Sequence, residues 1–436
     1  MADTMNSRLK TWSIGKAGLP SPPMKLSITT RFFTPRAFPS DSPGRFAPNY
    51  AIANFFYICT MKIILSSVLI FAAAILAEAT TPKLKEFPAG DSRITYVART
   101  LVKDNTVSFD WTGSRVRISF EGNYLAVKLN DSGKDWFNLW LDNPAGPFAD
   151  QVLTAKGDTT LVLCDPAALK ARYGKRIPKQ HTVILQKRTE ASQGRVTVQS
   201  ILTDGELLQA EPVKERVIEF VGDSFTCGYG AENSKPEDPF RPEDENQNFT
   251  HAAILGRYFD ADILVMAHSG QGVNRNYNDG GRGYTMPDRY VRLFDSSAPD
   301  DEEAARWQPS DFPVKPAITV IYLGENDFSR GRQPAERLFV EDYIRLLKEI
   351  KAFYGDEHPI LCAAPRIEVF EYVRAAVDKA GLHNVSYTGI FRNSFLRNET
   401  GSAGHPAYPA QLKIAHNFIP YVSSLTGWTL QDKAIR

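Results

Sequence analysis

Net charge is nearly absent from this 436-residue sequence: 51 Lys and Arg stand against 50 Asp and Glu, for a formal charge of +1. That balance gives no electrostatic footing on nucleic acid or on an anionic membrane surface. Cysteine is scarce too. Cys59, Cys164, Cys227 and Cys362 are widely spaced and form neither a disulfide framework nor a zinc pattern. No internal repeat is visible. At 43% hydrophobic and 23% charged residues, the composition is that of a globular protein long enough for two or three domains.

The one long apolar run lies at the start. Met61-Lys62 is followed by an uncharged core from Ile63 to Ala77, then by Ala77-Glu78-Ala79. This is the layout of a secretory signal peptide with an Ala-x-Ala cleavage site. The core is short for a membrane span, which needs about 20 residues. The expectation is therefore a signal peptide over 61–79, with no membrane contact after cleavage and a secreted or extracytoplasmic destination. Residues 1–60 are rich in Pro, Ser and Arg and keep no period. They are read as a non-native or disordered extension, with Met61 as the true start.

The mature chain changes character once. From 80 to 212 the pattern is of short strands: Arg115–Phe120, Tyr124–Leu129, Phe137–Leu141, Thr159–Leu163, His181–Gln186 and Arg195–Ile201. Glu121-Gly122-Asn123 suits a hairpin turn between the first two. Strands with turn signals between them predict an all-β sandwich. Trp111, Trp136 and Trp140 are expected in its core, and no catalytic constellation is visible there. Glu211-Pro212 marks a linker.

Over 213–436 strands alternate with helical segments, which predicts a parallel sheet covered on both faces, an α/β/α domain. Strands are expected at 217–221, 261–267, 317–323, 359–363 and 385–387. Helices are expected at 251–258, 335–354, 371–380 and about 409–425. The long connection 273–316 leaves a strand end and is expected to wall a site.

Four strand ends or helix starts carry chemistry. The apolar run Val217–Val221 meets Gly222-Asp223-Ser224, which lifts a serine off the carboxyl end of a strand, where open α/β sheets bind ligands. His268-Ser-Gly-Gln-Gly272 offers backbone N–H groups at close approach. Gly324-Glu-Asn-Asp327 offers the Asn326 amide, a donor of the kind used in oxyanion holes. Gly404-His405-Pro406 stands just before the last helix, where a histidine can take a serine proton. Singly, each piece is ordinary turn or capping chemistry. Asp223 and Asp327 are read as turn holders.

Together and in this order, the pieces resemble the four blocks of the SGNH hydrolases over about 216–428. Gly222–Gly230, Ser269–Tyr277, Thr285-Met-Pro287, Leu323–Asp327, His405-Pro406 and the upstream Phe109-Asp-Trp-Thr-Gly113 resemble carbohydrate esterase family 2 more closely. That resemblance implies an N-terminal jelly roll, a C-terminal SGNH domain and removal of acetyl groups from plant polysaccharides such as xylan and glucomannan. It implies Ser224 as nucleophile and His405 as general base. The Ser224 N–H, the Gly270 N–H and the Asn326 side chain would form the oxyanion hole. Tyr229, Asn274, Arg275, Asn276 and Tyr277 are the expected substrate contacts, with no metal and no organic cofactor.

One element of the pattern is missing. SGNH enzymes usually carry an Asp two or three residues before the histidine; here those positions are Ala403 and Ser402. The sequence looks like the dyad type, in which a backbone carbonyl orients the imidazole. Gly404 stands where many relatives have a bulky aromatic. The rival expectations are an esterase or lipase acting on another small acyl ester, and a carbohydrate-binding protein that has lost activity.

Overall fold

The computed structural model describes residues 83–279, 284–296, 306–433 and 435. The expected extension 1–60 and signal peptide 61–79 lie outside the described residues.

The first half is antiparallel. Strands β1 (Lys85–Pro88), β2 (Thr95–Val97), β3 (Leu101–Lys103), β4 (Thr106–Phe109), β5 (Arg115–Glu121), β6 (Leu125–Leu141) and β7 (Gln151–Cys164) precede helix α1 (Pro166–Tyr173). Strands β8 (Gln180–Lys187), β9 (Val196–Thr203) and β10 (Glu206–Leu208) complete a ten-stranded sheet. Its apolar positions close on one core containing Phe109, Phe120, Phe137, Leu139, Val196 and Ile201. Trp140 is fully buried. Trp111 is fully buried too, but it belongs to the core of the parallel half rather than to the expected sandwich core, and its Nε1 donates to Leu293 O at 2.9 Å. Trp136 is only half-buried, with Lys134 over its ring.

Two expectations are corrected here. The segments 124–129 and 137–141 are one strand, β6, whose first half pairs with β9 and whose second half pairs with β8. Register shifts at Leu125/Ala126 and Asp131/Asp135 mark where the ladder with β7 is irregular, as β-bulges do when a strand bends. The hairpin at Glu121-Gly122-Asn123 does not form. β5 pairs with β2, β8 and β10 instead. The Asp204 carboxylate accepts the N–H groups of Asn123 and Tyr124 at 2.8 and 3.0 Å, so this turn is held by the β9–β10 connection.

The second half is a five-stranded parallel sheet in the order β12-β11-β13-β14-β15. In chain order its elements are β11 (Val217–Gly222), α2 (Ser224–Cys227), α3 (His251–Phe259), β12 (Asp262–Ala267), α4 (Met286–Tyr290) and β13 (Ile318–Tyr322). Then come α5 (Glu336–Tyr354), β14 (Ile360–Ala364), α6 (Ile367–Ala380), β15 (Val385–Gly389) and α7 (Tyr408–Thr426). Helix α6 begins four residues earlier than its expected start at 371. Successive strand residues point to opposite faces. Val217, Val221, Ile321 and Cys362 join a core with α5 and α6. Ile218, Phe220, Val320 and Leu361 join a second core with α3 and α7. No helix of the described residues is long and apolar enough to cross a membrane.

The one charge inside β11, Glu219, explains how the two halves lock. It is fully buried and receives Tyr290 Oη at 3.0 Å, Thr319 Oγ1 at 2.9 Å, Tyr354 Oη at 2.8 Å and Arg99 Nη2 at 3.3 Å. Arg99 comes from the antiparallel half and lies over the Trp307 ring. Deleting one partner of such a buried pair costs about 3–5 kcal/mol, because the other charge is left uncompensated.

Candidate active site

At the carboxyl end of β11 the chain has almost no room. A Cβ on Gly222 would come within 2.0 Å of Thr226 Oγ1, so only glycine lets the turn close over α2. Asp223 is the N-cap of α2, and its carboxylate accepts the Phe225 N–H at 3.0 Å. This fixes Ser224 at the first helical position with its hydroxyl facing a cavity of about 540 Å³.

The cavity collects Ser224, Tyr229, Gly270, Tyr277, Asn326 and His405 from four separate segments. His405 Nε2 lies 2.9 Å from Ser224 Oγ. Burial pulls the His405 pKa down to about 4, against smaller upward pulls from the Ala403 and Ser402 carbonyls and with a small downward one from Arg392. The imidazole is therefore neutral near pH 7 and able to accept a proton. Its edge still reaches the cavity, so it is only half-buried in the static structure.

Nδ1 of His405 makes no hydrogen bond among the described residues. The carbonyls of Ser402 and Ala403 lie close enough to affect its proton affinity without meeting hydrogen-bond geometry. Ala403 has φ 54° and ψ 27°, the left-handed region that a β-carbon disfavours. Bonds from Ala403 N–H to Asp238 O at 2.9 Å and from Ser402 Oγ to Asp244 Oδ2 at 2.9 Å hold this turn. Strained turns of this kind cluster where a catalytic side chain must be aimed.

Gly270 also has positive φ, 78°, and lines the cavity. Gly272 does not line it, and its N–H is taken by Asn276 Oδ1 at 3.1 Å. This distinction favours Gly270 as the oxyanion donor of the block. Asn326 faces the cavity, but its amide is in use: Nδ2 donates to Gln271 O at 2.8 Å and to Asp223 Oδ2 at 3.2 Å. The longer bond is the one that a developing oxyanion would have to displace. Burial, reinforced by Glu325 and Asp327, pushes the Asp223 carboxyl pKa well up.

Three expected substrate contacts are elsewhere. Asn274 and Arg275 are buried away from the cavity. Asn274 Nδ2 donates to Asp342 Oδ2 at 2.5 Å, and the Arg275 guanidinium donates to the carbonyls of Asp327 and Ser329. Asn276 bridges Gly272 N–H and Tyr284 O. Their polarity serves the turn itself. Asp327 accepts the N–H groups of Val273, Asn274 and Arg275 at 2.8–2.9 Å and so folds the segment inward. Tyr277 and Tyr229 do reach the cavity. Tyr229 stacks on Phe240 with ring centroids 3.5 Å apart and lies 4.5 Å from the His405 ring. Within the expected wall 273–316, residues 280–283 and 297–305 lie outside the described residues.

Other cavity residues went unnoticed in the sequence. Arg330, Arg366 and Arg392 line the rim, and Glu325 pairs with Arg392 at 2.8 Å and with Arg366 at 3.6 Å. Behind the Ser269-Gly270 turn, Glu190 of the antiparallel half accepts the Ser269 N–H at 2.6 Å. His268, the other histidine at this sheet end, is tied to Asp295 at 2.6 Å. Cys227 is buried, as a small core side chain would be.

This geometry can be set beside known proteins. Residues 96–212 match the family model "Carbohydrate esterase 2 N-terminal", and residues 218–383 match "GDSL-like Lipase/Acylhydrolase". A cellulase/esterase, CelE, of Acetivibrio thermocellus is 31% identical over 329 residues, covering 73% of this chain. The match spans 38% of that larger protein. An acetylxylan esterase / glucomannan deacetylase of Cellvibrio japonicus is 26% identical over 343 residues, covering 73% of this chain and 86% of the relative. A solved family two carbohydrate esterase from Clostridium thermocellum, in complex with cellohexaose, superposes with a TM-score of 0.67 at 29% identity. It covers 77% of this chain and all (100%) of that one.

Proposed function

We propose that this chain, which is built as an SGNH-type serine esterase of the family 2 carbohydrate esterase kind, removes acetyl groups from plant polysaccharides or oligosaccharides through a serine acetyl-enzyme. The carrying observation is the 2.9 Å contact between Ser224 Oγ and His405 Nε2 in a cavity that also holds Gly270 and Asn326. His405 takes the Ser224 proton as Oγ attacks the acetyl carbonyl. The Ser224 N–H, the Gly270 N–H and the Asn326 amide receive the oxyanion. Collapse expels the sugar hydroxyl, which takes its proton from His405. Water, deprotonated by His405, then releases acetate and restores the serine.

Tyr229 and Tyr277 supply flat faces for a sugar ring, and the rim arginines make a long acyl chain a poor fit. A jelly-roll architecture for the antiparallel domain and secretion through residues 61–79 belong to the same proposal; they rest on the resemblance and on the apolar run after Met61. The name of the Cellvibrio japonicus relative, an acetylxylan esterase / glucomannan deacetylase, supports this substrate class. One observation favours a binding-only reading: the unpartnered Nδ1 of His405. NMR of acetylated xylan and glucomannan during incubation decides between them. Loss of acetyl signals with wild type and not with Ser224→Ala is the expected result. Glycan binding with no acetate released by either protein would favour the binding-only reading.

A further inference from the structure

A second cavity, of about 590 Å³, opens at the opposite end of the sheet from Ser224, beside the amino end of β12. It shares no lining residue with the Ser224 cavity. Both halves of the chain contribute to its wall, with Arg115 and Arg117 from β5 and Arg257, Lys214 and Lys433 from the parallel half. Only Glu211 and Asp260 oppose these five cations among the lining residues.

Arg115 is the unusual member. It is 7% exposed, its Nε is sealed from solvent without a partner, and its guanidinium makes no hydrogen bond or ion pair with any described residue. The nearby buried carboxylate, Asp262, is already in use. Both its oxygens bind Arg117, one of them at 3.0 Å, and Oδ2 also accepts the Lys214 N–H at 2.9 Å. Lys214 is paired with Asp260 at 2.5 Å, and Glu211 lies 3.7 Å from Arg117 Nε. Lys433 Nζ donates only to the Arg257 carbonyl at 3.0 Å and makes no ion pair among the described residues.

A guanidinium cannot escape burial by losing its proton near neutral pH. Burial pulls the Arg115 pKa down to about 10, which leaves it charged. An unpaired buried charge is costly, and an anion in the adjoining cavity would offset that cost with the planar, bidentate geometry that Arg presents. The cavity volume is in the range of small-molecule sites and exceeds what a bare ion fills.

We propose that this cavity is a second, non-catalytic site that binds an oxyanion, with Arg115 as its central donor and Lys433 and Arg257 beside it. The anion is either the carboxylate of an acidic sugar or a free tetrahedral oxyanion; the chemistry that recognises both is the same. Isothermal titration calorimetry on the full chain at low salt separates them, using D-glucuronate and inorganic phosphate in turn, with D-glucose as the neutral control. At least one anion should saturate while glucose does not. Tighter binding of glucuronate assigns the site to acidic sugars, and tighter binding of phosphate assigns it to the free ion. Arg115→Met should weaken binding about 10- to 100-fold, the worth of one charge-assisted hydrogen bond. Ser224→Ala should leave it unchanged. Should Arg115→Met fail to fold, Lys433→Met carries the test, and weaker binding supports the site. Absence of saturable anion binding, or unchanged affinity in the folded variants, overturns the proposal.

Discussion

Glu190 accepts the backbone N–H of Ser269 at 2.6 Å, so a carboxylate from the antiparallel domain braces the turn that presents Gly270 to the cavity. Glu190 is 2% exposed, and its own N–H donates to Glu245 Oε2 at 3.2 Å. The antiparallel half thus helps to shape the cavity that holds Ser224.

Glu190→Ala should lower kcat roughly tenfold and change KM little, as expected when one hydrogen bond to a catalytic turn is lost. Steady-state kinetics on a soluble acetyl ester measures this. A change confined to KM would mean that Glu190 does not act through the Gly270 N–H.

Asn326→Ala should cost roughly 100- to 1,000-fold in turnover, the usual loss for one oxyanion donor. Because its Nδ2 also bonds Gln271 O and Asp223 Oδ2, thermal melting of the variant should be compared alongside. A folded Asn326→Ala enzyme with near-normal kcat would remove Asn326 from the oxyanion hole.

The pH profile follows from His405. Its pKa is lowered to about 4, with burial as the main cause, and only the neutral imidazole can take the Ser224 proton. Activity should be fully present above that value and lost as pH falls through it. The acid limb of kcat/KM should therefore lie near pH 4, below the 6.5 of a free histidine. An acid limb near 6.5 would show that the imidazole is solvated in the free enzyme.

The missing acid makes a sharper prediction. Glu325 is held by Arg392 and Arg366, and Asp327 by three backbone N–H groups, so neither reaches His405 as a bonded partner. Glu325→Gln should retain measurable esterase activity. Asp327→Asn should retain some too but lose about 1–3 kcal/mol of stability, since an amide cannot accept all three N–H groups. Acetyl ester assays and denaturant melts report both. Turnover lost as completely as in His405→Ala, in either folded variant, would make that carboxylate the third catalytic member.

The site was legible where chemistry and backbone geometry share a short motif. Gly222-Asp223-Ser224 needs its glycine for the turn and its aspartate for the cap, so the motif carries its own structure. Every parallel strand was also visible; β11 to β14, buried on both faces, read as apolar runs. Side-chain direction was not legible. Asn274, Arg275 and Asn276 look like a sugar-binding wall in the sequence, yet Asp327 and Asp342 turn the first two inward from more than fifty residues away in the chain, and Asn276 spends its side chain on Gly272 N–H and Tyr284 O. Glu190 and the rim arginines were missed for the same reason, since only tertiary contact gives them a role. The expected hairpin at Gly122 failed because Asp204, far along the chain, decides which strand the turn leads to.

The proposed chemistry needs Ser224 and His405 to act as one unit, and hydrolysis of 4-nitrophenyl acetate by four proteins tests that most directly. Wild type should turn over, Ser224→Ala and His405→Ala should each nearly abolish turnover, and the double variant should be little worse than either. Independent, additive losses for the two residues, or equal rates for wild type and Ser224→Ala, would contradict it.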